Sequence, residues 1–155
     1  MFTDPETGFR YERRITDGPE ASSTFVITPN TSALVTYPEQ YPDTANIVAI
    51  DVDPNQRKNG MGSFLFDLCV KDARERGCRY LEILCANERT AAMCRRFSED
   101  AVIIRMPVPG KPEFRPTDLT VDEAVDYLAT CRELFYPEDN ESGQLSEHVS
   151  VIAKL

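Results

Sequence analysis

Asn46-Ile47-Val48-Ala49-Ile50-Asp51-Val52-Asp53-Pro54-Asn55-Gln56-Arg57-Lys58-Asn59-Gly60-Met61-Gly62-Ser63 is the stretch on which the fold turns. Residues 46–52 form an apolar, β-branched run that reads as a buried strand, and Asp53-Pro54 ends it. After the glycines, Met61, Leu65, Leu68, Cys69 and Ala73 recur at helical spacing. That helix closes at Arg74-Glu75-Arg76-Gly77, with glycine where a left-handed cap is wanted. Between strand and helix stands Arg57-x-x-Gly60-x-Gly62. The order strand, glycine turn, helix reads as an anion site. The first turn of a helix leaves backbone N–H groups unpaired, and the helix dipole adds partial positive charge there. Glycine permits a tight turn and lets a phosphate approach the backbone without meeting a Cβ. Arg57 and Lys58 add full positive charge at the rim.

Moving outward, Arg79 to Cys85 predicts the next strand. Strand, helix and strand make a βαβ crossover, so strands 46–52 and 79–85 are expected to run parallel as neighbours or near neighbours. Asn87 can cap a second helix running to about Phe97, and Ala101 to Met106 reads as another strand. A proline-rich link spans 107–112. Thr120-Val121-Asp122-Glu123 is a capping box, and the helix that it opens runs to about Phe135. An acidic loop at 137–143 precedes a last strand at 147–153. On the N-terminal side, residues 9–16 read as a strand, broken by Asp17-Gly18-Pro19. Residues 24–28 and 33–37 flank Pro29-Asn30-Thr31 as a hairpin, and Pro38 and Pro42 mark a loop. The predicted class is α/β, a mixed sheet with helices packed on it.

With 155 residues, the chain is expected to form one domain spanning 1–155 and to bury a real core. The formal charge of −9 argues against nonspecific nucleic-acid binding, which needs basic surface. An acidic surface suits cationic acceptors such as amines, although it serves solubility equally well. The five cysteines are odd in number and include no Cys-x-x-Cys, so neither a disulfide framework nor a zinc site is indicated. His148 is the only histidine, which excludes a multi-histidine metal site, and no metal is expected. No signal peptide or membrane-spanning run is legible, and a cytoplasmic location with no membrane partner is the default expectation.

Ile47 to Arg96, about a third of the chain, resembles the two central motifs of the GNAT superfamily of acyl-CoA N-acyltransferases. The resemblance rests on Val52-Asp53-Pro54 followed by Arg57-Lys58-Asn59-Gly60-Met61-Gly62, with the helix, Gly77, the second strand and Asn87 in order behind it. It implies a mostly antiparallel mixed sheet with a central parallel pair splayed around a cofactor site. Here an extra helix precedes the last strand. Acetyl-CoA is the implied co-substrate, its pyrophosphate held by backbone amides of Lys58, Asn59, Gly60, Met61, Gly62 and Ser63 with Arg57 at the rim. Val52 is the implied source of an oxyanion-binding N–H, and Asn87 the implied contact to the pantetheine arm. The implied reaction is direct attack of a primary amine on the thioester, which requires a neutral amine, a stabilised oxyanion and a protonated thiolate.

Departures from the family pattern shape the remaining expectations. Many members carry a tyrosine seven residues after the asparagine as the acid for the thiolate; here that position is Cys94. A thiol, with an ordinary pKa of ~8.5 against ~10 for tyrosine, can donate a proton but has a shorter reach. The other reading of Cys94 is a small core residue. For the general base, Glu82 is preferred over Asp51 and Asp53; on a strand it shares a face with Tyr80 and Leu84. Residues 1–45 lack the two helices that usually shape the acceptor site, so helix 120–135 or a partner subunit is expected to cover it. The acceptor, a small molecule or a peptide amine, is not legible, and a homodimer is left open. Two alternatives stay in view: a non-catalytic acyl-CoA binder and an interaction protein on the same fold.

Overall fold

The structure is a computed structural model that describes residues 1–84, 88–105, 117–135 and 149–155. The chain divides into two compact units, Met1–Arg79 and Tyr80–Leu155. Its class is α/β with mostly antiparallel strands.

In the first unit, strands β1 (Phe2–Thr3), β2 (Arg10–Thr16), β3 (Glu20–Thr28), β4 (Thr31–Pro38) and β5 (Thr44–Asp51) lie in chain order as an antiparallel meander. The β3–β4 hairpin turns on Pro29-Asn30, with Thr28 opposite Thr31. β1 and the first residues of β3 were not legible as strand, because they lack an apolar alternation. Helix α1 (Met61–Glu75) contacts β3, β4 and β5. The buried side chains of the unit include Leu65, Phe66, Cys69 and Ala73 from the helix and Phe25, Ala33, Val35, Ala45 and Ile47 from the strands. Four rings extend this core toward the N-terminus: Phe64 meets Phe9 and Tyr11 edge-on at 5.2 and 5.7 Å, and Tyr11 stacks on Phe2 at 5.4 Å. The helix ends in a Schellman arrangement. Gly77 N–H donates to Arg74 O at 3.0 Å and Cys78 N–H to Ala73 O at 3.0 Å, with Gly77 at φ +81°.

One buried group on α1 breaks the apolar stripe. Asp72 is 3% exposed. Its carboxylate accepts from the Arg13 guanidinium on β2 and the Tyr37 hydroxyl on β4, and pairs with Arg76 Nε at 3.4 Å. Arg76 lies over the Tyr37 ring, 4.2 Å from its centroid, and donates to Ser23 Oγ at 3.3 Å. A charge so far from water persists only when paired and hydrogen-bonded, and this cluster supplies both while tying α1 across β2, β3 and β4. Burial, and then the Asp72 charge, push the Tyr37 hydroxyl well above the usual phenol range.

In the second unit, the strand order is β6 (Tyr80–Ile83), β9 (Val149–Lys154), β7 (Asp100–Arg105), β8 (Thr117–Thr120), all pairs antiparallel. The last strand therefore sits between β6 and β7, with Ala153 opposite both Leu81 and Ala101. Helix α2 (Glu88–Met93) runs into a 3-10 turn at Cys94–Arg96 and packs on α3 (Val121–Phe135). The capping box forms as read: Glu123 N–H donates to Thr120 Oγ1 at 3.1 Å, and Thr120 N–H donates to Glu123 Oε1 at 3.3 Å. Val121, Ala124 and Leu128 are buried. α3 is the extra helix before the last strand. β8 was missed, since four residues carry too little pattern to call. The proline-rich link, the acidic loop, His148 and Asn87 lie outside the described residues.

Candidate functional site

β5 carries an irregularity just before the candidate loop. Leu34 pairs with Ala49 and Val35 with Ile47, so Val48 is an extra residue on β5. Such a bulge sharpens the local twist and breaks the ladder, and bulges favour the neighbourhood of sites. The strand then ends at Asp51, and Val52 is half-buried.

A single 3-10 turn, Pro54–Gln56, follows. Asp53 caps it, its Oδ1 accepting the Asn55 N–H at 2.9 Å. That bond commits one oxygen of Asp53 to structure, which argues against it as the free base. Beyond the turn, Lys58 and Gly60 both adopt left-handed backbone, at φ +71° and +79°. Gly60 is the N-cap of α1 and provides no side-chain cap; its carbonyl accepts the Phe64 N–H at 3.0 Å. Among the described residues nothing accepts the N–H groups of Met61, Gly62 and Ser63. No acidic side chain stands in the first turn either. Helices usually place a carboxylate or a capping hydroxyl at this end. Here the positive end is left uncompensated, with the exposed Arg57, Lys58 and Asn59 on its approach.

The two glycines differ in kind. At Gly60 the positive φ is what requires glycine, and a Cβ there would point into open space. At Gly62 a Cβ would lie 3.6 Å from Val52 Cγ2, an ordinary contact. Gly60 thus shapes the turn, while a side chain at Gly62 would find room beside Val52. The arrangement can hold an anion on convergent amides, and its donors fit a pyrophosphate.

The other expected residues lie in the second unit. Glu82 is half-buried on β6 between the buried Leu81 and Ile83, on the face shared with Tyr80 and Leu84. Its side chain has no hydrogen bond or ion pair among the described residues, so its carboxylate is uncommitted. Cys94 is fully buried in the 3-10 turn after α2, and its thiol faces Thr90 O at 3.9 Å. Burial pushes that thiol up to about 12. A thiol so placed holds its proton more tightly than a free thiol does, and its burial is that of a small core residue. Asn87 falls outside the described residues.

Sequence reasoning missed the Val48 bulge, the Asp72 cluster and the contacts that Thr31 makes to the loop. Asp72 had a signal: a carboxylate three residues after Cys69 on the apolar stripe. Thr31 and the bulge had none, because both are set by cross-strand register.

Three solved structures illustrate the likenesses of the fold. An IAA acetyltransferase from Bacillus cereus is 13% identical, with 88% of this chain and 79% of that chain covered and a TM-score of 0.47. An alanine N-acetyltransferase of a ribosomal protein from Escherichia coli is 15% identical over 90% of this chain and 70% of that one, TM-score 0.47. N-acetylglutamate synthase from Neisseria gonorrhoeae, complexed with coenzyme A and N-acetyl-glutamate, is 16% identical; 86% of this chain covers 25% of that longer one, TM-score 0.45. No curated protein matches the chain in sequence. Residues 5–98, more than half of the chain and the whole of the strand, loop and helix built above, match the acetyltransferase (GNAT) family, and the chain belongs to it.

Proposed function

We propose that this protein transfers an acetyl group from acetyl-CoA to a primary amine by direct attack. The observation that carries the reading is the open start of α1: three free amides behind two left-handed residues, with no acid in the first turn. Acetyl-CoA would supply the activated carbonyl and a thiolate leaving group. Backbone amides of 61–63 hold its pyrophosphate, and Arg57 and Lys58 screen the remaining charge. The N–H near Val52, just past the bulged part of β5, stabilises the developing oxyanion. Glu82, with an uncommitted carboxylate, takes the amine proton through water. Cys94 has a packing role, so the proton for the thiolate comes from solvent or from the acceptor itself. Residues 1–50 contribute no helix, so the acceptor side is shaped by another segment of the chain or by a partner.

Thermal unfolding with coenzyme A, acetyl-CoA and ATP tests the cofactor. A ligand at 100 times its Kd adds about 2.7 kcal/mol, which at about 2–4 °C per kcal/mol is a rise of about 5–10 °C. The coenzymes should give it and ATP should not. Gly60→Glu should abolish the rise, because a carboxylate would occupy the cradle; an undiminished rise in that variant means that the coenzyme sits elsewhere. Buried Cys94 also favours a second reading, an acyl-CoA binder without turnover. A panel of amines with wild type and Glu82→Gln separates the two, since only an enzyme releases free thiol and loses that release in the variant.

A further inference from the structure

The loop with the open amides is gripped from behind by a residue outside both motifs. Thr31, the first residue of β4, is 0% exposed. Its hydroxyl accepts the Asp53 N–H at 3.1 Å and donates to Gln56 Oε1 at 3.1 Å. A hydroxyl offers one proton and two lone pairs, so its donor and one acceptor position are both spent on this segment. Asp53 and Gln56 bracket the 3-10 turn, which is also closed on itself by Gln56 N–H to Asp53 O at 2.8 Å. One buried side chain therefore holds a closed turn at both ends, and the next residue is Arg57.

That placement matters because of what comes after it. A non-glycine residue in left-handed backbone, as at Lys58, is strained and persists only where its surroundings over-determine it. Downstream, the loop is fixed by the Phe64 N–H to Gly60 O bond that starts α1. Upstream, among the described residues, the side-chain hydrogen bonds from the turn to the sheet both pass through Thr31. Release of that end would let the strain at Lys58 relax and would turn the amides away from a common focus.

From this geometry we infer that Thr31 is a positioning residue for the pyrophosphate loop: through Asp53 and Gln56 it sets the aim of amides that it never touches. The inference rests on the acyl-CoA reading of the loop. Its signature is selective. Ligand parts held by the amides should feel the loss of Thr31, and parts held elsewhere should not.

Isothermal titration of the full chain with coenzyme A and with pantetheine, which lacks the pyrophosphate, reads that selectivity. Thr31→Val keeps the shape and removes the hydroxyl; it should bind coenzyme A about tenfold more weakly and pantetheine as wild type does. Thr31→Ser should restore coenzyme A affinity to within about twofold. Gln56→Leu should lose part of the affinity with the same selectivity, and it carries the test should the valine variant not fold. Wild-type coenzyme A affinity in both the valine and leucine variants overturns the inference. So does equal weakening of both ligands, which would mark a general loosening. Failure of wild type itself to bind coenzyme A overturns the cofactor reading and this inference with it, a result that needs no variant to recognise.

Discussion

Asp72→Ala should cost the protein a large part of its stability while leaving the open amides of α1 in place. The Asp72 side chain is 2% exposed, against 29% for Arg13 and 26% for Arg76. Truncation leaves two guanidiniums without their counter-charge and the Tyr37 hydroxyl without its acceptor. Removal of one member of a buried ion pair costs about 3–5 kcal/mol. Both arginines reach some water, and Arg76 keeps Ser23 as a partner, so the lower end applies, about 3 kcal/mol. For a chain of this size that is a fall of about 6–12 °C in unfolding midpoint. Calorimetry or a circular-dichroism melt at neutral pH reads it directly. A companion variant separates the worth of the cluster from the penalty for breaking it. Asp72→Leu with Arg13→Met, Tyr37→Phe and Arg76→Met removes every charge together, and should recover most of the loss, because apolar replacement of a whole buried ionic group is often neutral. A drop of less than about 2 °C for Asp72→Ala, the range of an ordinary surface change, would mean that water reaches this carboxylate in solution, and the burial argument would fail.

Two further outcomes follow from the loop and the buried thiols. Gly60→Ala should destabilise by about 1–2 kcal/mol because alanine resists φ +79°, whereas Gly62→Ala, with its Cβ at ordinary contact distance from Val52, should be nearly neutral; equal effects in chemical denaturation would remove the distinction between the two glycines. Stability should fall on the alkaline side, since burial raises the Cys94 thiol to about 12 and also raises Cys69. A raised folded value gives stability that is complete below the unfolded value near ~8.5 and is lost as pH climbs toward the folded one. Each thiol contributes about 1.4 kcal/mol per pH unit across that window. Cys94→Ala should be less stable at neutral pH but show a shallower alkaline slope; an unchanged slope refutes the assignment.

The parts of this protein legible in its sequence are those governed by local periodicity and punctuation. The stripe of α1, its stop at Gly77, the Pro29-Asn30 hairpin and the Thr120–Glu123 box each depend on residues within one or two turns of one another, and each is where the pattern puts it. The glycine motif belongs to the same class, because the helix start and its left-handed cap are local. What stayed hidden is non-local. β1 and β8 are two and four residues long, too short for alternation to register, and exist because a neighbour offers an edge. The Val48 bulge is a property of the β4–β5 register and not of either strand. Thr31 joins the loop through contacts that span 22 and 25 residues. Cys94 shows the converse: its spacing suggested chemistry, and its burial favours packing.

The place of β9 has a consequence for how the chain comes together during synthesis. The first unit is a meander whose strands pair with their immediate predecessors, so each can dock as it leaves the ribosome. In the second unit the β7–β8 pair is joined to β6 only when residues 149–154 emerge, some 65 residues after β6, because β9 pairs with both β6 and β7. A nascent chain stalled anywhere in that interval would hold a finished helix-backed meander followed by strands awaiting their centre. The amides at the start of α1 would already be presented, so an anion able to bind them could meet them before the chain is whole.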